Sequence, residues 1–229
     1  MIIKPDNEML SYSGRIDFDD RLAPVLVYAC SSIGMKFTGT SLKAVIVNHR
    51  SCWTNELGYF IDGEQKRFTL SSDEEKKTYT LAENLPEGTH ELLLFKRMDS
   101  CHTFTFYGFE IDDGAKVLAL PEKPKRKMEF FGDSVSCGEV SEAVEYAGKP
   151  DPEHDGQYSN SWYSYAWMTA RKLNAQIHDT SQGGISLLDD TGWFAAPHYK
   201  VLNPAMIRSN TTRISDRQNS GIFPNISRM

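Results

Sequence analysis

The sequence predicts an all-β N-terminal half followed by an α/β unit with parallel strands, and three observations carry that prediction. Apolar runs of strand length, separated by turn formers, fill residues 25–111 and leave no helical period among them. Between two of these runs stands Asp62-Gly63, the dipeptide that supplies the positive φ angles of a two-residue hairpin turn. Beyond residues 120–125, which carry two prolines, the pattern becomes strand, long loop, helix and strand, with glycine closing each strand.

Taken in order, Ile33, Met35 and Phe37 alternate with small or polar residues, as one buried strand face requires. Residues 42–47 form a second apolar run, and 57–61 with 65–70 form the arms of the Asp62-Gly63 hairpin. Runs at 78–81, 91–95 and 103–111 add three strands at spacings typical of a sandwich, with Pro86-Glu87-Gly88 as one of the turns. An antiparallel β-sandwich over residues 1–120 follows, and 120–125 reads as a linker. Residues 128–131 then make a short apolar strand that ends at Gly132-Asp133-Ser134. A helix capped by Asn160 or Ser161 is expected to run to about Asn174, with Trp162, Ala166, Thr169 and Leu173 facing inward. Residues 175–179 form a second strand that closes at Gly183-Gly184. The two strands of such a βαβ unit are parallel, so both glycine-bearing turns lie at the sheet edge where open α/β folds bind ligands.

Composition removes several classes of function. With 229 residues, 40% of them hydrophobic and 11% aromatic, two modest cores can be buried. A formal net charge of -6 gives no basic footprint for nucleic acid, and the dense run 123–127, interrupted by Pro124, reads as a solvated linker. No apolar stretch approaches the roughly 20 residues of a membrane span. The polar, acidic first 20 residues lack a leader-like apolar region, so a cytoplasmic chain is expected as written, or a secreted one if the N-terminus is incomplete. Cys30, Cys52, Cys101 and Cys137 show no CxxC spacing, which points to free thiols and away from zinc.

The chemistry gathers at the predicted edge. A serine directly after a strand and a tight turn presents its hydroxyl and its own N–H, so Ser134 is the expected nucleophile. Gly183 or Gly184, where no side chain blocks approach, supplies the second N–H of an oxyanion hole. Gly132 and Asp133 are structural support, Asp133 by hydrogen-bonding the local backbone. The triplet by itself recurs in many loops, and its context carries the argument. Any of His49, His90, His102, His154, His178 and His198 could act as a base, although structural roles fit each better. Trp53, Tyr59, Phe60 and the aromatics of 104–109 suit either sugar stacking or core packing. The long acidic loop 141–155 has the look of a functional loop.

The run Phe130-Phe131-Gly132-Asp133-Ser134-Val135-Ser136-Cys137-Gly138-Glu139 resembles the first block of SGNH hydrolases, in the form carried by family two carbohydrate esterases. Residues 158–166, Ser181-Gln182-Gly183-Gly184-Ile185 and the upstream stretch 36–42 resemble that family too, so the likeness runs from Gly14 to about Tyr199. It implies an N-terminal jelly-roll β-sandwich followed by a truncated SGNH, flavodoxin-like α/β hydrolase domain over 121–200. It further implies removal of acetyl groups from xylan or related glycans by acyl-serine catalysis, with no metal or organic cofactor. The partner is then an acetylated polysaccharide or oligosaccharide, with no nucleic acid and no membrane. Apart from the resemblance, Trp193 and Phe194 lie in a Gly-Trp loop near the Gly183 edge, where they are expected to line the acyl or sugar pocket.

The family also needs a later asparagine block and a C-terminal histidine, and the tail over 201–229 resembles neither. A shifted reading frame after Tyr199 or Lys200 permits family-like strings across this tail. The chain as written is therefore expected to lack its catalytic histidine, to be inactive, and to keep about two strands of its parallel sheet. The alternative is a non-catalytic carbohydrate-binding β-sandwich protein.

Overall fold

In a computed structural model of the chain, residues 1–51 and 53–186 are described. Fourteen strands are present among them: β1 Ile2–Ile3, β2 Ser11–Ser13, β3 Ile16–Asp17, β4 Val25–Leu26, β5 Ser32–Thr38, β6 Leu42–His49, β7 Glu56–Ile61, β8 Glu64–Thr69, β9 Lys77–Ala82, β10 Thr89–Lys96, β11 Thr103–Ile111, β12 Val117–Leu118, β13 Arg126–Gly132 and β14 Ala175–Ser181. Two short helices, α1 Ser134–Cys137 and α2 Tyr165–Lys172, lie between the last two strands.

The first twelve strands form two six-stranded antiparallel sheets. One runs β3-β4-β11-β6-β9 with β1 against β11, and the other β12-β5-β10-β7-β8 with β2 against β5. Ile33, Met35 and Phe37 of β5 meet Leu42, Ala44 and Ile46 of β6 in one core shared by both sheets, all fully buried. A bulge at Tyr107 shifts the register of β11 between Phe106 and Gly108. That extra residue changes which parity faces inward, so Phe104, Phe106, Phe109 and Ile111 all reach the core. The Asp62-Gly63 turn has φ 52 and 85, both positive, as the two-residue hairpin demands.

β10 explains how the two architectures meet. Leu92 and Leu94 join the sandwich core, while Leu93 and Phe95 point the other way, into a second cluster with Ala166, Trp167, Ala170 and Ile177. A strand covered on both faces reads as a continuous apolar run, and Leu92-Leu93-Leu94-Phe95 is one. Phe95 stacks on Phe60 at 5.9 Å and meets Trp167 edge-on at 5.4 Å. Gly58 of β7 makes room for it, because a Cβ there would lie 2.1 Å from the Phe95 ring.

β13 and β14 are parallel, with Gly132 opposite Ser181, and among the described residues they are the whole of this sheet. The single helix expected from Asn160 or Ser161 to Asn174 is two pieces. Asn160 caps a 3-10 turn at Ser161–Tyr163 through Trp162 N–H, and Ser164 caps α2 through Trp167 N–H. Ser161 is held away from a continuous helix because its N–H donates to Arg97 O and its hydroxyl to Lys96 O. The buried side of α2 is accordingly Ala166, Trp167 and Ala170, whereas Leu173 is exposed and Trp162 half-buried. The basic run 123–127 is solvated as expected, but only its first part is linker. Arg126 and Lys127 belong to β13, and Lys123 donates to Tyr12 O.

Candidate active site

Ser134 is the first residue of α1, directly after β13, and its side chain is half-buried. Asp133 Oδ1 accepts Val135 N–H at 3.1 Å and so caps the helix. Gly132 is packed so closely that a Cβ would sit 2.0 Å from Ser136 Oγ, which explains glycine at the mouth of the turn. The neighbouring strand β14 ends at Ser181, where Gln182 N–H donates to Gly132 O at 3.1 Å and ties the two turns together. Ile185 N–H then donates to Gln182 O, closing a turn with Gly184 at φ 77, a conformation that favours glycine. Ser134, Gly183 and Gly184 are thereby assembled at one edge.

The two glycines are not equivalent. Gly183 N–H donates to Asp99 Oδ2 at 2.7 Å, while Gly184 N–H has no hydrogen-bond partner among the described residues. Asp99 lies on the β10–β11 loop of the sandwich and also accepts from Gln182 Nε2 at 2.7 Å. Sequence reading missed it, since an aspartate in a short loop looks like an ordinary turn residue.

Beneath the edge is a buried polar layer. Asp179 of β14 accepts from Cys30 Sγ at 3.5 Å and from the Ser181 hydroxyl. Burial pushes its carboxyl up to about 7, against the pull of those two donors. Cys30 and Cys137, both fully buried, have thiols raised well above the ordinary range, by burial first. Thiols held protonated in this way are inert as nucleophiles. Lys96 is enclosed as well; its ammonium donates to Met98 O at 2.7 Å and to Asp99 O. The acidic loop 141–155 is pinned to the sandwich, for Arg97 pairs with Glu142 at 2.7 Å and Asn160 Nδ2 donates to the other Glu142 oxygen at 2.6 Å.

Among the described residues none hydrogen-bonds the Ser134 hydroxyl. His49 is 2.8 Å from Thr105 Oγ1, and His90 is 2.6 Å from Asp62 and 2.9 Å from Pro86 O. His102 accepts from Ser51 N–H, and burial holds it down at about 4. His178 faces Glu129 across β13 and β14, its pKa lowered by burial. His154 comes nearest to the edge by connectivity. It lies 3.5 Å from Glu139, whose N–H donates to Ser134 O. The pocket residues Trp193 and Phe194, together with Cys52, His198 and the tail 201–229, lie outside the described residues. Phe104, Phe106 and Phe109 are fully buried, so of the two readings of that segment core packing applies. No group of three His, Cys, Asp or Glu side chains forms a metal-binding cluster among the described residues.

Residues 12–121 match the family model for the carbohydrate esterase 2 N-terminal domain. The cellulase/esterase CelE of Acetivibrio thermocellus is 33% identical over 193 residues, which cover 84% of this chain and 23% of that protein. An acetylxylan esterase / glucomannan deacetylase of Cellvibrio japonicus is 26% identical over 69% of this chain and 44% of its own length. Among solved structures, a family two carbohydrate esterase from Clostridium thermocellum in complex with cellohexaose superposes with a TM-score of 0.73. It is 30% identical, over 84% of this chain and 56% of that one. The acetyl xylan esterase Est2A of Butyrivibrio proteoclasticus shares the fold at a TM-score of 0.70 and 22% identity, over 81% of this chain and 50% of its own. Fold and relatives together define the architecture of a carbohydrate esterase, a β-sandwich followed by an α/β unit. The chain carries a carbohydrate esterase 2 N-terminal domain, its solved neighbours include family two carbohydrate esterases, and it spans about half the length of the solved relatives it matches.

Proposed function

We propose that this chain carries the nucleophile of a carbohydrate O-acetyl esterase that deacetylates xylan or related glycans through an acetyl-serine intermediate. The observation behind the reading is the Gly132–Ser181 pairing, which sets the Ser134 turn beside the Gly183-Gly184 turn in a chain whose relatives are esterases. Ser134 Oγ attacks the acetyl carbonyl while its proton passes to a base, and negative charge collects on the carbonyl oxygen. The N–H groups of Ser134 and Gly184 face that charge, since Asp99 occupies the Gly183 N–H. Collapse expels the sugar alkoxide, which takes the proton, and water then releases acetate.

Among the described residues no base is hydrogen-bonded to the Ser134 hydroxyl. Without one, the 229-residue chain is expected to retain only the roughly 10³ to 10⁴ over water that oxyanion donors and binding provide. A second reading, glycan binding without turnover, draws support from the cellohexaose in the Clostridium thermocellum structure. Turnover of p-nitrophenyl acetate and acetylated xylan, with and without Ser134→Ala, separates the two. Loss of measurable hydrolysis in the variant supports the acetyl-serine route. Cellohexaose binding that survives Ser134→Ala, with no wild-type hydrolysis to lose, supports the binding reading instead.

A further inference from the structure

The end of β10 and the β10–β11 loop belong to the sandwich, yet their polar groups are spent on the α/β edge. Lys96 O and Arg97 O hold Ser161, Arg97 holds Glu142, and Ser100 Oγ donates to Gln182 Oε1. Asp99 makes the most of these contacts. Its Oδ2 takes both Gln182 Nε2 and Gly183 N–H at 2.7 Å, and its Oδ1 takes Cys101 N–H at 3.0 Å. The residue is 6% exposed. Three donors on one enclosed carboxylate fix a turn more tightly than neutral bonds would, because hydrogen bonds to an ionised acceptor are shorter and stronger.

We propose that Asp99 is a positioning residue of the esterase centre: from the sandwich, it sets the Gln182-Gly183 turn and thereby orients the Gly184 N–H toward the Ser134 edge. The inference rests on the esterase reading for its purpose, but its geometry stands apart from it. Gln182 and Gly183 follow β14 directly, and α1 follows β13 across the Gly132–Ser181 pair, so a tilt of this turn moves one oxyanion donor relative to the other. The sandwich is then part of the catalytic scaffold as well as a neighbour to it.

The test uses the full chain labelled with ¹⁵N. The Gly183 amide proton should resonate far downfield, as donors to carboxylates do. Asp99→Asn should move that resonance upfield while the amides of β5, β6 and β11 keep their positions. Hydrogen exchange at Gly183 should rise about tenfold or more, the scale expected when a local charge-assisted bond is lost. Where Asp99→Asn perturbs the sandwich itself, Gln182→Ala removes the adjoining bond from the other side and should raise exchange at Gly183 alone. A Gly183 amide that responds to neither variant overturns the proposal. Ser134→Ala runs in parallel and should leave the Gly183 signal unchanged. Hydrolysis that persists in that variant sinks the esterase reading and leaves the clamp standing.

Discussion

Replacing Asp179 by asparagine should make the protein more stable at alkaline pH and leave it nearly unchanged at acid pH. The carboxyl is 1% exposed and is raised from 3.8 to about 7, by burial first. An acid whose folded pKa is raised binds its proton more tightly in the folded chain, so the associated stability is complete below about 3.8 and is lost as pH climbs through about 7. At ~1.4 kcal/mol for each tenfold change in proton affinity, the penalty carried by the ionised form is at most about 4 kcal/mol. Asparagine has the shape of the protonated acid: its oxygen still accepts from the Ser181 hydroxyl, and its amide faces Cys30 Sγ. Urea denaturation of both proteins between pH 4 and pH 8.5 should therefore show curves that meet near pH 4 and separate by about 1 to 4 kcal/mol above pH 7. Parallel curves across that range would refute the reasoning.

Two further perturbations address the fold. Gly58→Ala places a methyl 2.1 Å from the Phe95 ring, with backbone fixed on both sides by β8 and β10, and should cost about 1 to 3 kcal/mol of unfolding free energy. An unaltered denaturation midpoint would mean that Phe95 is free to move. His90 is buried, and although burial works against its charge, the Asp62 carboxylate and Pro86 carbonyl outweigh it and raise its pKa, while Asp62 is lowered. The contribution of charged His90 is complete below about 6.5 and fades as pH rises through the raised value. His90→Gln should consequently lose more stability at pH 6 than at pH 9, and equal losses at the two values would count against the ion pair.

Much of the architecture was legible because its signals are local. The Asp62-Gly63 turn, the alternation of Ile33, Met35 and Phe37, and the two strands that close on Gly132 and near Gly183 are each set by a few consecutive residues. The rest depends on partners distant in the chain. β1, β2 and β3 are two or three residues long and have no period to read. The helix expected from Asn160 onward divides because the carbonyls of Lys96 and Arg97, more than 60 residues upstream, hold Ser161. Leu92-Leu93-Leu94-Phe95 announced a strand but not that its second face packs on α2. The same limit applies at the site. Ser134 and the glycine pair were visible in the sequence, whereas Asp99, 84 residues from Gly183, was not.

The two-sided burial of β10 bears on how such a protein can be taken apart. The matched family segment ends at residue 121, which invites cutting there to obtain a free-standing module. Such a cut would strip Phe95, Ala29 and Cys30 of Trp167, Ala170 and Ile177, baring an aromatic patch to water and leaving Arg97 without Glu142. A unit that is portable by homology is thus not portable by physics. Grafting or shuffling this sandwich onto another α/β domain would require a recipient helix able to refill the hollow beside Gly58.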